Sequence, residues 1–240
     1  MANEIVEWDK VMTSALNLSG MTIDRKTFLK GVLSMYCNAN NLDEAIESPT
    51  KFVDMRILDK IADACISNHC KIASATSFAA GLPGGWAMLA TIPADIAQYY
   101  GHVLALAQKF AYIYGIPSLT DEYGKLNESA RDILTVFVGV MMGSEMANKV
   151  VGKVCKDLAI QAAKRIPQMG LTKTAYYPVI KEICKWVGVR MTTKTFGQGV
   201  GKLIPVIGGL ISAGITATSF SASAKRLKKS LREQALYLSE

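Results

Sequence analysis

Asp95, Gln98, Tyr99, His102 and Lys109 recur at i, i+3, i+4, i+7 and i+14, a spacing that sets five polar side chains on one face of a helix. An aspartate and a histidine on one face are the raw material of acid–base chemistry. The same residues also make a polar line between packed helices, in which Asp95, Tyr99 and His102 are buried and find partners. That is the reading adopted here, with Lys109, His102 or a helix N-terminus as the partner of Asp95. Cys65 and His69 lie at i, i+4 and supply half a metal site. The chain has only two histidines and no second pair at ligand spacing, so no metal is predicted. The run GQGVGKL at 197–203 has the glycines and lysine of a phosphate loop. A Walker A sequence needs glycine where Phe196 stands and Ser or Thr where Leu203 stands. Nucleotide binding is rejected on that ground, and no Gly-x-Ser-x-Gly or paired-carboxylate arrangement appears. No catalytic residue, cofactor or small-molecule substrate is predicted.

The elements that would position these residues are helical throughout. Apolar residues recur at helical spacing, and no alternating run bounded by Asn-Gly or Asp-Gly suggests a strand. Residues 3–18 predict an amphipathic helix with Ile5, Trp8, Val11, Met12 and Ala15 on one face and Gly20 beyond its end. A second helix runs from Asp24 to Cys37 through Phe28, Leu29, Val32 and Met35, and 38–47 is a polar connector with room for a helical turn. Ser48-Pro49 is a start signal. From it one helix is predicted toward Ala79, with Phe52, Ile57 or Leu58, Ile61, Cys65 and Ile72 on its apolar line. The glycine-proline hinge Gly81-Leu82-Pro83-Gly84-Gly85 ends it.

The central helix starts near Ala94, because Pro93 is tolerated at a helix start but not inside one. Either Thr120-Asp121-Glu122 or Asn127-Glu128 starts the next, which runs to Gly143. Residues 145–166 follow, with Met146, Val150, Val154 and Leu158 on the apolar side. A further helix begins at Thr172 or Thr174 and reaches about Val187, and 190–202 is a weak helix or hinge. The last element, 204–238, joins a small-residue apolar stretch to a basic stripe. The predicted fold is all-α: a single multi-helix bundle of about eight or nine helices with two apolar, glycine-hinged, hairpin-like segments.

The hinge at 81–85, the apolar turn ending at Pro93, the single Asp95, the closing Tyr114-Gly115 and the late run Lys202-Leu203-Ile204-Pro205-Val206-Ile207-Gly208-Gly209 resemble the EcsC family of bacterial proteins. A related small helical domain fused to dynamin-like or Era-like GTPases carries a similar pattern. The resemblance covers roughly residues 50–235. It divides the chain into an N-terminal helical extension, 1–47, and an EcsC-like domain, 48–240. It implies an all-helical bacterial protein linked to membranes and secretion, without established catalytic residues. Asp95 is the residue carried over from the family pattern.

Charge supports a membrane partner by a separate route. Residues 1–120 hold 9 Lys and Arg against 11 Asp and Glu, and residues 121–240 hold 18 against 9. A half with net charge +9 attracts an anionic partner. The aromatic residues are not interleaved with the basic stripe, which argues against nucleic acid. Two uncharged stretches, 72–94 and 203–224, have the length of a bilayer span. The second holds eight strong apolar residues against six Ser/Thr, three Gly and one Pro, so insertion as a lone helix comes near break-even. The first is broken by its own hinge.

Stripes of small residues, such as Gly209, Ala213 and Ala217, allow close helix approach in lipid and equally inside a soluble bundle. The expected lipid contacts are Leu82, Trp86, Met88, Leu89, Ile204, Val206, Ile207, Leu210 and Ile211. Lys225, Arg226, Lys228, Lys229 and Arg232 are expected to meet anionic lipid or a partner. Five cysteines, odd in number and set within helices, read as reduced core thiols. The start MANEIVEWDK is acidic where a secretory signal is basic, so none is predicted. The expectation is a non-enzymatic protein on the cytoplasmic side of the inner membrane, peripheral or conditionally inserted, with a protein partner or homo-oligomer possible. The alternative is a soluble scaffold docking a transporter or GTPase partner.

Overall fold

The computed structural model describes residues 2–81, 94–163, 178–187, 218 and 220–235. They form ten α-helices and no strand; the only extended pairing among them is an isolated bridge between Thr120 and Leu126. The helices are α1 (Ala2–Leu16), α2 (Arg25–Leu33), α3 (Leu42–Glu47), α4 (Pro49–Phe52), α5 (Met55–Gly81), α6 (Ala94–Ile113), α7 (Glu128–Met141), α8 (Glu145–Ala163), α9 (178–187) and α10 (220–235). The all-α bundle is as predicted, with one helix more because the stretch from Ser48 is divided.

That division corrects the reading of 48–79 as one helix. Ser48 makes no side-chain cap, α4 lasts four residues, and Val53 is extended at φ −123°, ψ 131°. Asp54 then starts α5, its carboxylate accepting the Arg56 backbone N–H at 2.8 Å. An aspartate one turn into a helix competes for backbone donors, and here it wins a new N-terminus. Two apolar faces are also corrected. Phe52 and Ile72 are exposed, and the buried line of α5 is Leu58, Ile61, Ala62, Ile66 and His69. In α8 Met146 is exposed while Ala147, Val151, Val154, Cys155 and Leu158 are buried.

Helix α6 is the centre. From Val103 to Leu106 and from Phe110 to Tyr114 every residue is buried, which fits a helix apolar over most of its circumference. It ends at Gly115, whose φ of +88° suits glycine, and the Ile116 N–H wraps back to the Ala111 carbonyl at 2.8 Å. Helix α5 runs antiparallel to it, as the pairs His69–His102 and Asp59–Tyr114 show.

Helix α1 covers another side. Trp8 is buried, its ring edge-on to Tyr100 at 5.4 Å, and its indole N–H donates to Thr135 of α7 at 3.1 Å. The following loop is pinned by Gln108, which donates to the Met21 carbonyl and accepts from the Ile23 N–H. Buried Arg25 donates to the carbonyls of Ile116 and Glu47. Residues of 1–47 therefore share one core with α6 and α7.

Asn127 caps α7, accepting the Ala130 N–H at 2.9 Å, which selects the second of the two predicted starts. At Gly139 the three helices α7, α8 and α9 meet. A Cβ there would lie 2.7 Å from Ile183 and 2.8 Å from Ala147, so only glycine allows the approach. Helix α10 lies antiparallel along α5 and reaches the α7–α8 corner, where Arg226 donates to the Met141 carbonyl at 3.1 Å.

Candidate functional site

Two polar constellations lie on α5, one facing α6 and one facing α10. The first joins residues that the sequence shows on separate helices. The ring nitrogens His69 Nδ1 and His102 Nδ1 are 3.3 Å apart, and Lys109 Nζ is 2.8 Å from His69 Nε2. A lysine ammonium has donors only, so His69 Nε2 accepts, His69 Nδ1–H donates, and His102 Nδ1 accepts. The remaining proton of His102 then sits on Nε2, which is buried with no hydrogen-bond partner among the described residues. Each histidine is 5% exposed.

Both imidazoles are held neutral. Burial is the first cause of the low pKa of His69, about 3, followed by the charge of Lys109 and the neighbouring His102. Burial and Lys109 lower His102 likewise. Lys109 is itself lowered by burial, with Cys65 opposing, and it stands 5.7 Å from the centre of the Phe28 ring. Burial raises the Cys65 thiol, so it is not poised as a nucleophile. Among the described residues no group of three His, Cys, Asp or Glu side chains is placed to hold a metal ion.

The predicted polar line is thus brought together in part. His102 is buried in it, and half-buried Tyr99 stacks edge-on against Phe220 at 6.0 Å, with burial raising its phenol. The side chain of Asp95 lies outside the described residues. Lys109, offered above as a partner for Asp95, meets His69. Reasoning from the sequence missed that His69 and His102 meet. Its one usable signal was that the only two histidines of the chain stand in neighbouring apolar helices.

The second constellation centres on Asp59. One carboxylate oxygen accepts the Tyr114 hydroxyl at 2.8 Å, and the other accepts Arg232 Nε at 2.7 Å. Lys228 donates to the Asp59 carbonyl at 3.2 Å and to Asp63 at 2.7 Å. Burial, then the bond to Asp59, raises the Tyr114 phenol. The predicted basic stripe therefore divides. Lys228 and Arg232 turn toward α5, and Arg226 reaches the α7 corner. Lys225 and Lys229 are exposed, Lys229 standing 4.0 Å from Glu233. Asp59→Ala leaves two cations and a phenol facing one another. It is expected to cost about 2–3 kcal/mol, since bonds to charged groups contribute about 1.5–3 kcal/mol each before solvent screening. Tyr114→Phe should cost about 1 kcal/mol. Urea unfolding of the two variants checks the order.

Beside this interface an open groove of about 650 Å³ runs between α5 and α10, lined by Ile66, Ser67, Lys71, Ser221 and Lys225 among others. Its lining residues adjoin the uncharged stretches in the sequence. Lys71 directly precedes 72–94, and Ser221 and Lys225 stand at the close of 203–224. The expected lipid contacts, Leu82, Trp86, Met88, Leu89, Ile204, Val206, Ile207, Leu210 and Ile211, lie outside the described residues, as do the glycine hinges beyond Gly81. Among the described residues no helix is long and apolar enough to cross a membrane.

No family model, curated protein or solved structure matches the chain. Its reading therefore rests on its own residues.

Proposed function

We propose that this chain is a non-enzymatic, membrane-associated helical protein of the kind the EcsC resemblance implies. Its apolar, glycine-hinged stretches contact or enter the bilayer, and its basic C-terminal helix lies at the anionic surface. One observation carries this reading: described residues that border the two uncharged stretches in the sequence lie together at one place in the bundle. Cys70 and Lys71 of α5, Tyr99 near the start of α6, and Phe220 and Ser221 of α10 are neighbours there. Segments that are marginal as lone spans gain from being placed together, since small-residue stripes let helices approach closely in lipid. Lysines at their boundary favour an anionic headgroup layer.

The site chemistry is consistent with a non-catalytic role. The polar seam holds two neutral imidazoles and a protonated thiol, a set suited to holding α5 against α6 rather than to moving protons to a substrate. Flotation of the purified chain with liposomes tests the reading. Salt-sensitive flotation on anionic vesicles is the result for peripheral attachment, and flotation that survives salt and carbonate is the result for insertion. A chain that stays in the dense fraction under all conditions would be the alternative, a helical scaffold docking a protein partner. The inward ties of Lys228 and Arg232 are the observation that favours that alternative.

A further inference from the structure

Asp59 and Asp63 face Lys228 and Arg232 across the α5–α10 interface, two acids against two bases. Lys71 and Lys225 stand outside this balance. Both are exposed at the rim of the groove, and neither has a hydrogen-bond or ion-pair partner among the described residues. The remaining acid of the groove, Asp63, is already bound by Lys228 at 2.7 Å. The groove thus presents two uncompensated ammonium groups, with the hydroxyl-bearing side chains of Ser67 and Ser221 and the apolar Ile66 also in its lining. A phosphate ester matches that set: ammonium groups for the charge, hydroxyls to donate to its oxygens, and an apolar wall for the carbon beside it. In the sequence Lys71 directly precedes the uncharged run 72–94 and Lys225 directly follows the uncharged run 203–224, so the phosphate ester favoured is one that carries acyl chains.

We infer that the groove between α5 and α10 is a headgroup site for an anionic phospholipid, with Lys71 and Lys225 as its phosphate-binding residues. This rests on the membrane reading above and narrows it. The anionic contact is made at a defined groove by one lysine from each of two helices. It is not made by the length of the basic stripe, whose Lys228 and Arg232 hold the fold.

The test is flotation of the full chain on phosphatidylcholine vesicles with and without phosphatidylglycerol. The comparison sets the Lys71→Ala/Lys225→Ala variant against a variant with equal loss of charge elsewhere, Lys149→Ala/Lys156→Ala on α8. Each lysine at an anionic surface contributes about fivefold to partitioning, so the groove variant should bind phosphatidylglycerol vesicles on the order of 25-fold more weakly. The α8 variant should stay within about twofold of the parent. Circular dichroism and the unfolding midpoint should be unchanged, because neither groove lysine has a structural partner. Equal losses in both variants would overturn the site and leave only net charge. Unchanged binding of the groove variant would overturn the site while the membrane reading stands. No flotation of the parent chain would sink both. Full competition by soluble glycerol phosphate at the concentration of accessible lipid phosphate would reassign the groove to a soluble phosphate ester and overturn the lipid.

Discussion

Replacing Trp8 with alanine is expected to destabilise the fold by about 3–5 kcal/mol, the range for deleting a fully buried large aromatic side chain. In a domain of this size that lowers the unfolding midpoint by roughly 10 °C. Three contacts are lost together. The indole is 2% exposed, so its area returns to water or leaves a cavity. Its edge-to-face contact with Tyr100 at 5.4 Å disappears, an arrangement favourable beyond its area. The Thr135 oxygen loses its donor, although its own hydroxyl still reaches the Arg131 carbonyl at 2.9 Å. Trp8→Phe keeps much of the area and loses the N–H, so it should cost about 1–2 kcal/mol. Urea unfolding followed by circular dichroism distinguishes the two. A Trp8→Ala chain as stable as the parent would mean that α1 can leave the bundle without disturbing α6 and α7. The helical extension would then be a separable element. A single cooperative loss would make it part of the core.

Helix α1 was legible because Trp8, Val11, Met12 and Ala15 repeat at three and four within a polar background, and the structure buries all four. The start of α6 at Ala94 and the cap at Asn127, one of the two starts offered for α7, were legible for local reasons as well: a proline before a helix and an asparagine oxygen at its start act on their own neighbours. Register failed where burial was decided by a partner helix. In α8 the large Met146 attracts a periodicity argument, whereas the crossing at Gly139 selects small Ala147 one position on. The break at Val53–Asp54 was hidden because the apolar spacing continues across it, and only the aspartate's capping geometry reveals it.

The same limit governs the candidate sites. Lys225, Lys228, Lys229 and Arg232 form one stripe at helical spacing, and periodicity cannot say which of them faces a neighbour. The complementary signal stands in α5, where Asp59 and Asp63 are an i, i+4 acid pair that matches Lys228 and Arg232, an i, i+4 base pair. Pairing them requires knowing that α10 lies along α5, a contact 165 or more positions apart in the chain. The His69–His102 contact, 33 positions apart, has the same character. Each histidine was visible alone, and their meeting follows from the antiparallel packing of α5 on α6.

Acid should act on this fold through two buried groups of opposite sign. His69 has a folded pKa of about 3 against an ordinary value of 6.5. A group depressed in the folded state contributes stability that is present above its unfolded pKa and lost as pH falls toward the folded one. His69 therefore removes roughly 2–3 kcal/mol between pH 6.5 and 4.5, at about 1.4 kcal/mol per pH unit. His102 acts in the same direction. Asp132 is raised to about 6, first by burial and then by Glu128, with Arg131 opposing, and its Oδ2 is buried with no hydrogen-bond partner among the described residues. Its contribution is fully present below the ordinary carboxylate pKa and lost as pH rises through about 6. Between pH 6 and 4 the two trends offset each other, and single variants separate them.

Asp132→Asn removes an ionised, poorly solvated carboxylate. At pH 7 it should be more stable than the parent by about 1–3 kcal/mol, an advantage that shrinks as pH falls below 6. His69→Gln should lose stability at pH 7 with its hydrogen bonds, yet show a flatter decline toward pH 4.5 than the parent, by roughly 2–3 kcal/mol. Denaturant midpoints at a series of pH values read both. A His69→Gln curve parallel to the parent's would mean that the imidazole protonates in the folded state without cost, and the buried seam between α5 and α6 would then admit water. The two effects should add in the double variant. His69 lies between α5 and α6 with Lys109 and His102, while Asp132 lies on α7 near Cys184, whose thiol is pushed up to about 12 by burial and then by Asp132 and Asp9. With no partner in common, neither group sets the other's solvation, which is the condition for additivity.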